Sequence, residues 1–162
     1  MTVESPDFLS LWSRYTALSP GDKAVLRRVA DPDELRDFHA LYTLFPQGRP
    51  HDGWLRVVFL LPWFEDCGDE RRNSTPSLGE LLVEKRISEM RAFQVARSKS
   101  PTDISQFRRL AIQLKHPKVN WKKLGWLLYR SEPDGSWSRE SKRQLIEDFY
   151  LATFAPVKGE KK

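Results

Sequence analysis

The 162-residue chain is long enough to bury a hydrophobic core without a disulfide or a metal ion to stabilise it. Its single cysteine, Cys67, excludes an internal disulfide, and no apolar run approaches the roughly 20 residues of a membrane-spanning helix. The net charge of +5 is unevenly distributed, because residues 1–84 hold 9 Lys and Arg against 14 Asp and Glu, whereas residues 85–143 hold 15 against 5. An excess of this size over one folded half is typical of a protein that binds a polyanion.

The first residues, MTVESPDF, are acidic and lack the basic and apolar regions of a signal peptide. We therefore expect a cytoplasmic protein with no membrane partner.

Three segments near the N-terminus begin with a capping residue followed by proline, which suits the first helical position: Ser5-Pro6, Ser19-Pro20 and Asp31-Pro32. The second of these helices should end at the arginine pair Arg27-Arg28. In the third, Glu34 stands where the acidic residue of a capping box stands. An apolar stripe at helical spacing then predicts that this helix continues to residue 45, through Leu35, Phe38, Tyr42 and Phe45.

The next segment, residues 54–61, is apolar on almost every side, which is typical of an element in the centre of a domain. Periodicity alone leaves helix and strand open here, and the helical surroundings favour a helix. Its one charged residue, Arg56, should pair with a carboxylate from a neighbouring helix, because an unpaired buried charge is costly. Residues 65–76 are polar and lack a pattern, and we expect a mobile loop there.

The C-terminal half reads as a series of short capped helices. Thr102 and Asp103 open the clearest amphipathic helix, whose core face should turn Arg109 outward and place Arg108 at its shoulder. That face consists of Ile104, Phe107, Leu110, Ala111 and Leu114. The other predicted caps are Ser77, Ser88, Asn120 and Ser138.

The predicted fold is all-α, a compact bundle of about nine short helices without a convincing pair of strands. It forms a single domain over residues 1–162, with halves at 1–64 and 77–154 joined by the loop 65–76.

The residue types of common catalytic and metal sites are not arranged as such sites require. The three histidines, His39, His51 and His116, lie in different segments without metal-ligand spacing, and we expect His39 in the core. The sequence contains no glycine-rich phosphate loop and no nucleophile elbow. We therefore predict no enzymatic activity and no cofactor.

The basic residues recur once or twice per helix through the second half, as expected for a packed bundle that presents a positive stripe. Arginine matches phosphate geometry with two parallel hydrogen bonds, and such contacts hold a strand without reading its bases. No signature of a base-reading RNA or DNA module is present. The predicted contacts are Arg27, Arg28, Arg49, Arg91, Lys99, Arg108, Arg109, Arg139, Lys142 and Arg143.

An ordered series of fragments resembles one known family. The fragments are RRVADPDELRDFHALYTL (27–44), LRVVFLLP (55–62), SLGELL (77–82), AFQVAR (92–97), QFRRL (106–110), VNWKKLGWLL (119–128) and KRQLIEDF (142–149). Each fragment alone is an ordinary amphipathic helix, but their order and spread resemble the CasB family, the small subunits of the type I-E CRISPR surveillance complex Cascade.

The resemblance implies an all-helical, non-catalytic subunit that forms a head-to-tail pair with a second copy and contacts the backbone and large subunits. It implies that a basic face helps to hold CRISPR RNA, the target strand and the displaced non-target strand while an R-loop forms. Basic positions of the family match Arg27, Arg28, Arg49, Arg91, Arg109, Arg139 and Lys142. The alternative is a helical adaptor that binds only proteins and whose basic face meets an acidic partner. Salt-dependent binding of single-stranded nucleic acid distinguishes the two.

Overall fold

The computed structural model describes residues 7–46, 48, 50, 52–68, 75–98, 102–129 and 136–154, with side chains in the last helix described from residue 142. Its elements, in chain order, are α1 (Phe8–Thr16), α2 (Pro20–Arg28), a 3-10 helix (Pro32–Asp37), α3 (His39–Leu44), α4 (Asp52–Leu60), β1 (Glu65–Asp66), α5 (Leu78–Glu84), α6 (Glu89–Arg97), α7 (Asp103–Gln113), β2 (Lys118–Val119), α8 (Trp121–Leu128) and α9 (Ser136–Phe154). The predicted all-α class is confirmed.

Most of the predicted caps are confirmed. Side-chain oxygens at the N-caps of four helices accept hydrogen bonds from backbone N–H groups two or three residues later: Ser19 for α2, Ser77 for α5, Ser88 for α6 and Asn120 for α8. The first helix is an exception, because Asp7 caps it and Phe8 begins it, whereas Ser5 and Pro6 lie outside the described residues. The predicted start of the last helix after Ser138 is wrong, since α9 begins at Ser136.

The predicted third helix is interrupted at Phe38. Asp31 caps as predicted, and Glu34 reaches back to accept from the Ala30 N–H at 2.6 Å, but the segment is a 3-10 helix that ends when Phe38 becomes extended. The Tyr42 hydroxyl donates to the Arg36 carbonyl at 2.6 Å, which satisfies an oxygen that a continuous α-helix would bond internally. Tyr42 is therefore exposed instead of lying on the core stripe, and His39 at the start of α3 is exposed as well.

The central element is α4, as predicted. Every residue from Leu55 to Leu60 is buried, and the helix packs against the 3-10 helix, α2, α7 and α8. The predicted core face of α7 is buried in full, from Ile104 to Leu114. One hydrophobic cluster contains side chains from both predicted halves.

The first residues of the segment predicted as a mobile loop are part of a short strand pair. Glu65 and Asp66 form β1, which pairs in parallel with Lys118 and Val119 of β2. The Trp121 indole donates to the Phe64 carbonyl at 2.8 Å, and the Trp121 N–H donates to the Asp66 carboxylate at 3.2 Å. These bonds connect the end of the first half to the start of α8. The sequence pattern did not predict this connection. Residues 69–74 of the predicted loop lie outside the described residues.

The long helix α9 packs closely on α5 because Gly79 has no side chain. A Cβ atom at residue 79 would collide with the Leu145 carbonyl oxygen and lie 2.8 Å from the Phe149 nitrogen. This approach fixes α9, which carries several predicted contact residues, against the rest of the domain.

We expect Gly79→Ala to destabilise the fold by about 1–3 kcal/mol, because the methyl group meets rigid backbone and forces α5 and α9 apart. Urea denaturation of the purified chain measures this. The control is Gly21→Ala in α2, where the added methyl group meets only the Ser19 hydroxyl at 3.9 Å. Equal stability of the two variants would show that the α5–α9 approach is not tight.

Candidate nucleic-acid interface

The arginine pair of α2 lies beside α7. Arg27 and Arg28 occupy the last turn of α2, where positive charge favours the helix dipole. The Arg108 guanidinium donates to the carbonyl of the next residue, Val29, at 3.2 Å and lies over the Phe59 ring at 5.1 Å. Arg108 is thereby bonded to the residue that directly follows the two first-half arginines in the sequence.

The neighbouring residue Arg109 has a different environment. It is exposed, and within the part of the chain that the structure describes it has no hydrogen-bond or ion-pair partner. Because successive helical residues are about 100° apart, the inward position of Arg108 directs Arg109 outward, as predicted.

Arg91 joins α6 to this surface. Its guanidinium donates to Gln94 at 2.9 Å and across to Gln106 of α7 at 2.8 Å. Gln106 and Arg109 are three residues apart and therefore share one side of α7. We call the exposed or half-buried set formed by Arg27, Arg28, Arg91, Arg108 and Arg109 the arginine surface.

Arg143 and Lys142 are adjacent in α9 but lie in opposite environments. Arg143 is exposed and has no polar partner among the described side chains. Lys142 is only 9% exposed, and its ammonium donates to the Asp103 carboxylate at 2.8 Å and to the Ser98 carbonyl at 2.9 Å. These bonds give Lys142 a role in the interior, so we leave it out of the interface proposed below.

Asp103 is the centre of a buried network. It is fully buried and accepts two hydrogen bonds from the Arg56 guanidinium, at 2.8 and 2.6 Å, in addition to the bond from Lys142. Arg56 also donates to the Leu128 carbonyl at 2.6 Å. The predicted carboxylate partner of Arg56 is thus confirmed as Asp103, which the sequence pattern marked only as the opening of a helix.

Burial alone would raise the pKa of Asp103, but the hydrogen bonds and charge of Arg56, followed by those of Lys142, hold it below its usual range. The carboxylate therefore stays ionised at neutral pH and pairs with both cations.

The remaining predicted contacts cannot be placed as side chains. Arg49 and Lys99 lie outside the described residues, and Arg139 belongs to α9 without a described side chain.

Sequence reasoning also missed an exposed aromatic group where α6 and α9 meet. The signal was the broad apolar pattern near the end of α9, at residues 145–146, 149–152 and 154, which is wider than a single buried seam.

Among the described residues, no group of three or more His, Cys, Asp or Glu side chains is placed to hold a metal ion. No described helix is both long and apolar enough to cross a membrane.

Comparisons with known proteins agree with this architecture. The chain is 34% identical over 158 residues to the CRISPR system Cascade subunit CasB of Escherichia coli K12. The aligned region covers 91% of this chain and 94% of that protein. The chain belongs to the CasB family. The resemblance carried by the ordered fragments is thereby confirmed, although no family model matches the chain.

The fold is also similar to a chain in the crystal structure of E. coli Cascade bound to a PAM-containing double-stranded DNA target. The TM-score is 0.75 at 32% identity, and the match covers 93% of this chain and 98% of that one. The fold of that chain is therefore retained over nearly the whole length of this one.

We expect Asp103→Asn to cost about 3–5 kcal/mol of stability at neutral pH, because it leaves two buried cations without their counter-charge. The wild type should lose this contribution as the pH falls below about 3.9, the ordinary pKa of an unfolded aspartate, since the folded state binds the proton less readily. Denaturation at pH 7 and pH 3 measures both effects. The control is Asp33→Asn, which alters an exposed ion pair. A gap between wild type and Asp103→Asn that stays constant with pH would contradict the pairing.

Alanine variants of the neighbouring residues Arg108 and Arg109 provide a second test of stability. Arg108→Ala should lower stability by about 1–2 kcal/mol, because it removes a hydrogen bond and a ring contact from a half-buried site. Arg109→Ala should stay within about 0.5 kcal/mol of wild type, as expected for an exposed side chain. Chemical denaturation compares the two. Equal losses would mean that Arg109 also holds the fold and is not free to contact a partner.

Proposed function

We propose that this chain is a non-catalytic small subunit of a type I-E CRISPR Cascade complex and that its arginine surface, with Arg143, holds nucleic acid to stabilise the R-loop. Membership of the CasB family supports the subunit role. The observation that carries the finer proposal is the hydrogen bond from Arg108 of α7 to the carbonyl of Val29, the residue that follows Arg27 and Arg28. In this proposal the bond brings the end of α2 to α7, so that arginines from distant parts of the sequence can contact one strand.

The chemistry of this surface suits phosphates better than bases. Arg28, Arg109 and Arg143 are exposed on helices whose own positions are fixed by packing, so their guanidinium groups are available to a strand. Helix-borne arginines reach backbone phosphates without a groove-reading element, and contacts of this kind are independent of sequence. In such a complex the guide RNA would carry the sequence information.

The energetics of an R-loop make modest contacts effective. The RNA–DNA heteroduplex is about as stable as the DNA duplex that it replaces, so protein contacts to the backbone can tip the exchange. One exposed phosphate contact is worth only about 1 kcal/mol. Since every 1.4 kcal/mol is about a tenfold change in an equilibrium constant, several contacts together change R-loop occupancy strongly.

The partners in this proposal are the backbone and large subunits of Cascade, a second copy of this chain, CRISPR RNA and the target and non-target DNA strands, all in the cytoplasm. The DNA-bound E. coli Cascade complex supports this set of partners. One of its chains is similar to 93% of the present chain. No cofactor takes part.

The double variant Arg109→Ala/Arg143→Ala should fold and assemble normally but shorten the R-loop lifetime about tenfold or more at low salt, because two phosphate contacts are lost. The difference from wild type should shrink as salt rises, since each lost contact removes part of the salt dependence. Single-molecule or stopped-flow measurement of R-loop collapse at two salt concentrations records both.

The control is Lys122→Ala/Lys123→Ala, which removes the same charge from exposed positions on α8, outside the arginine surface. An equally short lifetime in the control would show that net charge alone matters. Normal lifetime in the arginine variant, together with loss of an acidic protein partner, would favour the adaptor alternative.

A further inference from the structure

An exposed aromatic group lies where α6 and α9 pack side by side. The Tyr150 ring meets the Phe93 ring edge-on at 5.7 Å and stacks with the Phe154 ring at 6.4 Å, with an interplanar angle of 14°. Phe154 is 81% exposed. The rings of Tyr150 and Phe154 thus form a pair with one open side.

The group is held in place before any ligand arrives. The Tyr150 hydroxyl donates to the Glu89 carboxylate, and the Arg97 guanidinium lies over the Phe93 ring at 4.6 Å. Because these contacts fix Tyr150 and Phe93, little freedom of those two rings would be lost when a flat ligand stacks there, whereas Phe154 is held only by its contact with Tyr150.

The rings of Tyr150 and Phe154 lie on the same helix as Arg143, α9. Residues 143, 150 and 154 are seven and eleven positions apart along the helix, so they share one face, with Phe154 about 16 Å from Arg143 along the axis. The two helices run antiparallel, since Glu89 meets Tyr150 while Ser98 meets Lys142. Arg97 therefore lies toward the Arg143 end. The face therefore carries Phe154 and Tyr150 at one end of α9 and Arg143 at the other, while the Arg97 side chain reaches back over the Phe93 ring, next to Tyr150.

We propose that this face is a stacking platform for a single-stranded nucleic acid. Bases stack on Phe154 and Tyr150, while Arg97 and Arg143 contact the phosphates that follow. The combination of aromatic rings and a positive groove is the usual means of holding single strands without sequence preference. The exposed Glu147 lies between the two ends, and a strand would keep its phosphates away from that carboxylate. This proposal rests on the proposed nucleic-acid function and specifies which surface would take unpaired bases.

A protein partner is the other class of occupant for exposed apolar residues. The wider charge favours the strand, because residues 85–143, which contribute α6 and the start of α9, carry 15 Lys and Arg against 5 Asp and Glu. Beside the rings, Glu89 and Glu147 accompany Arg97 and Arg143, so the phosphates of a bound strand would lie toward the two arginines. The exposed Phe154 ring, parallel to the Tyr150 ring, matches the flat shape of a base.

Fluorescence anisotropy of the full chain with labelled oligothymidylate and with an abasic strand of equal length tests the proposal, because the two strands share phosphates and differ in bases. Phe154→Ala should weaken oligothymidylate binding about tenfold and leave abasic binding unchanged. Phe154→Trp should restore binding. The control, Leu151→Ala, removes a 71% exposed apolar side chain next to Tyr150 without removing a ring, and it should bind like wild type.

Other results overturn the proposal in distinguishable ways. Salt-dependent binding of both strands that Phe154→Ala does not alter would overturn the platform and leave the phosphate-holding function intact. Failure of the wild type to bind either strand would overturn both. Unchanged strand binding with impaired assembly of Phe154→Ala into the complex would assign this face to a protein partner.

Discussion

Asp103 accepts hydrogen bonds from two buried cations that are 86 residues apart in the chain, Arg56 in α4 and Lys142 in α9. The same cations bond the Leu128 carbonyl at the end of α8 and the Ser98 carbonyl after α6. Five helices therefore depend on one carboxylate. A shift of any of them would leave a buried charge without its partner, which is far more costly than a lost surface contact. Two of these five helices, α7 and α9, carry the exposed Arg109 and Arg143.

The network holds two positive charges and one negative charge in the interior, and helix ends help to balance the excess. Leu128 is the last residue of α8 and Ser98 follows the last turn of α6, so both carbonyls lie at the negative ends of helix dipoles. Asp103 itself occupies the first turn of α7, where the dipole favours a carboxylate. The charges are thus compensated by paired groups and by helix termini together, and the hydrogen-bonding groups of the carboxylate and guanidinium are satisfied.

Local sequence chemistry predicted the caps, the buried α4 and the core face of α7, because each depends on a few neighbouring residues. It also predicted that Arg56 needs a carboxylate, yet it could not identify Asp103, which is 47 residues away. The break at Phe38 is accompanied by a side-chain bond from Tyr42 to the Arg36 carbonyl six residues earlier, which an apolar stripe does not reveal. For the same reason Lys142 looked like a surface cation in the sequence, since helical position alone does not show which neighbours cover a side chain.

Two neighbouring pairs, Arg108–Arg109 and Lys142–Arg143, show how the interior and the interface are related. In each pair the first cation bonds to another element and the second is exposed. The angle between successive helical residues separates their directions, and the bond made by the first fixes the orientation of the helix that carries the second. An exposed arginine on a fixed helix has a limited region to search before it meets a phosphate, so less entropy is lost on contact. The net charge therefore overstates the number of cations available to a partner, because some of them, such as Arg108 and Lys142, instead hold in position the helices that carry the exposed ones.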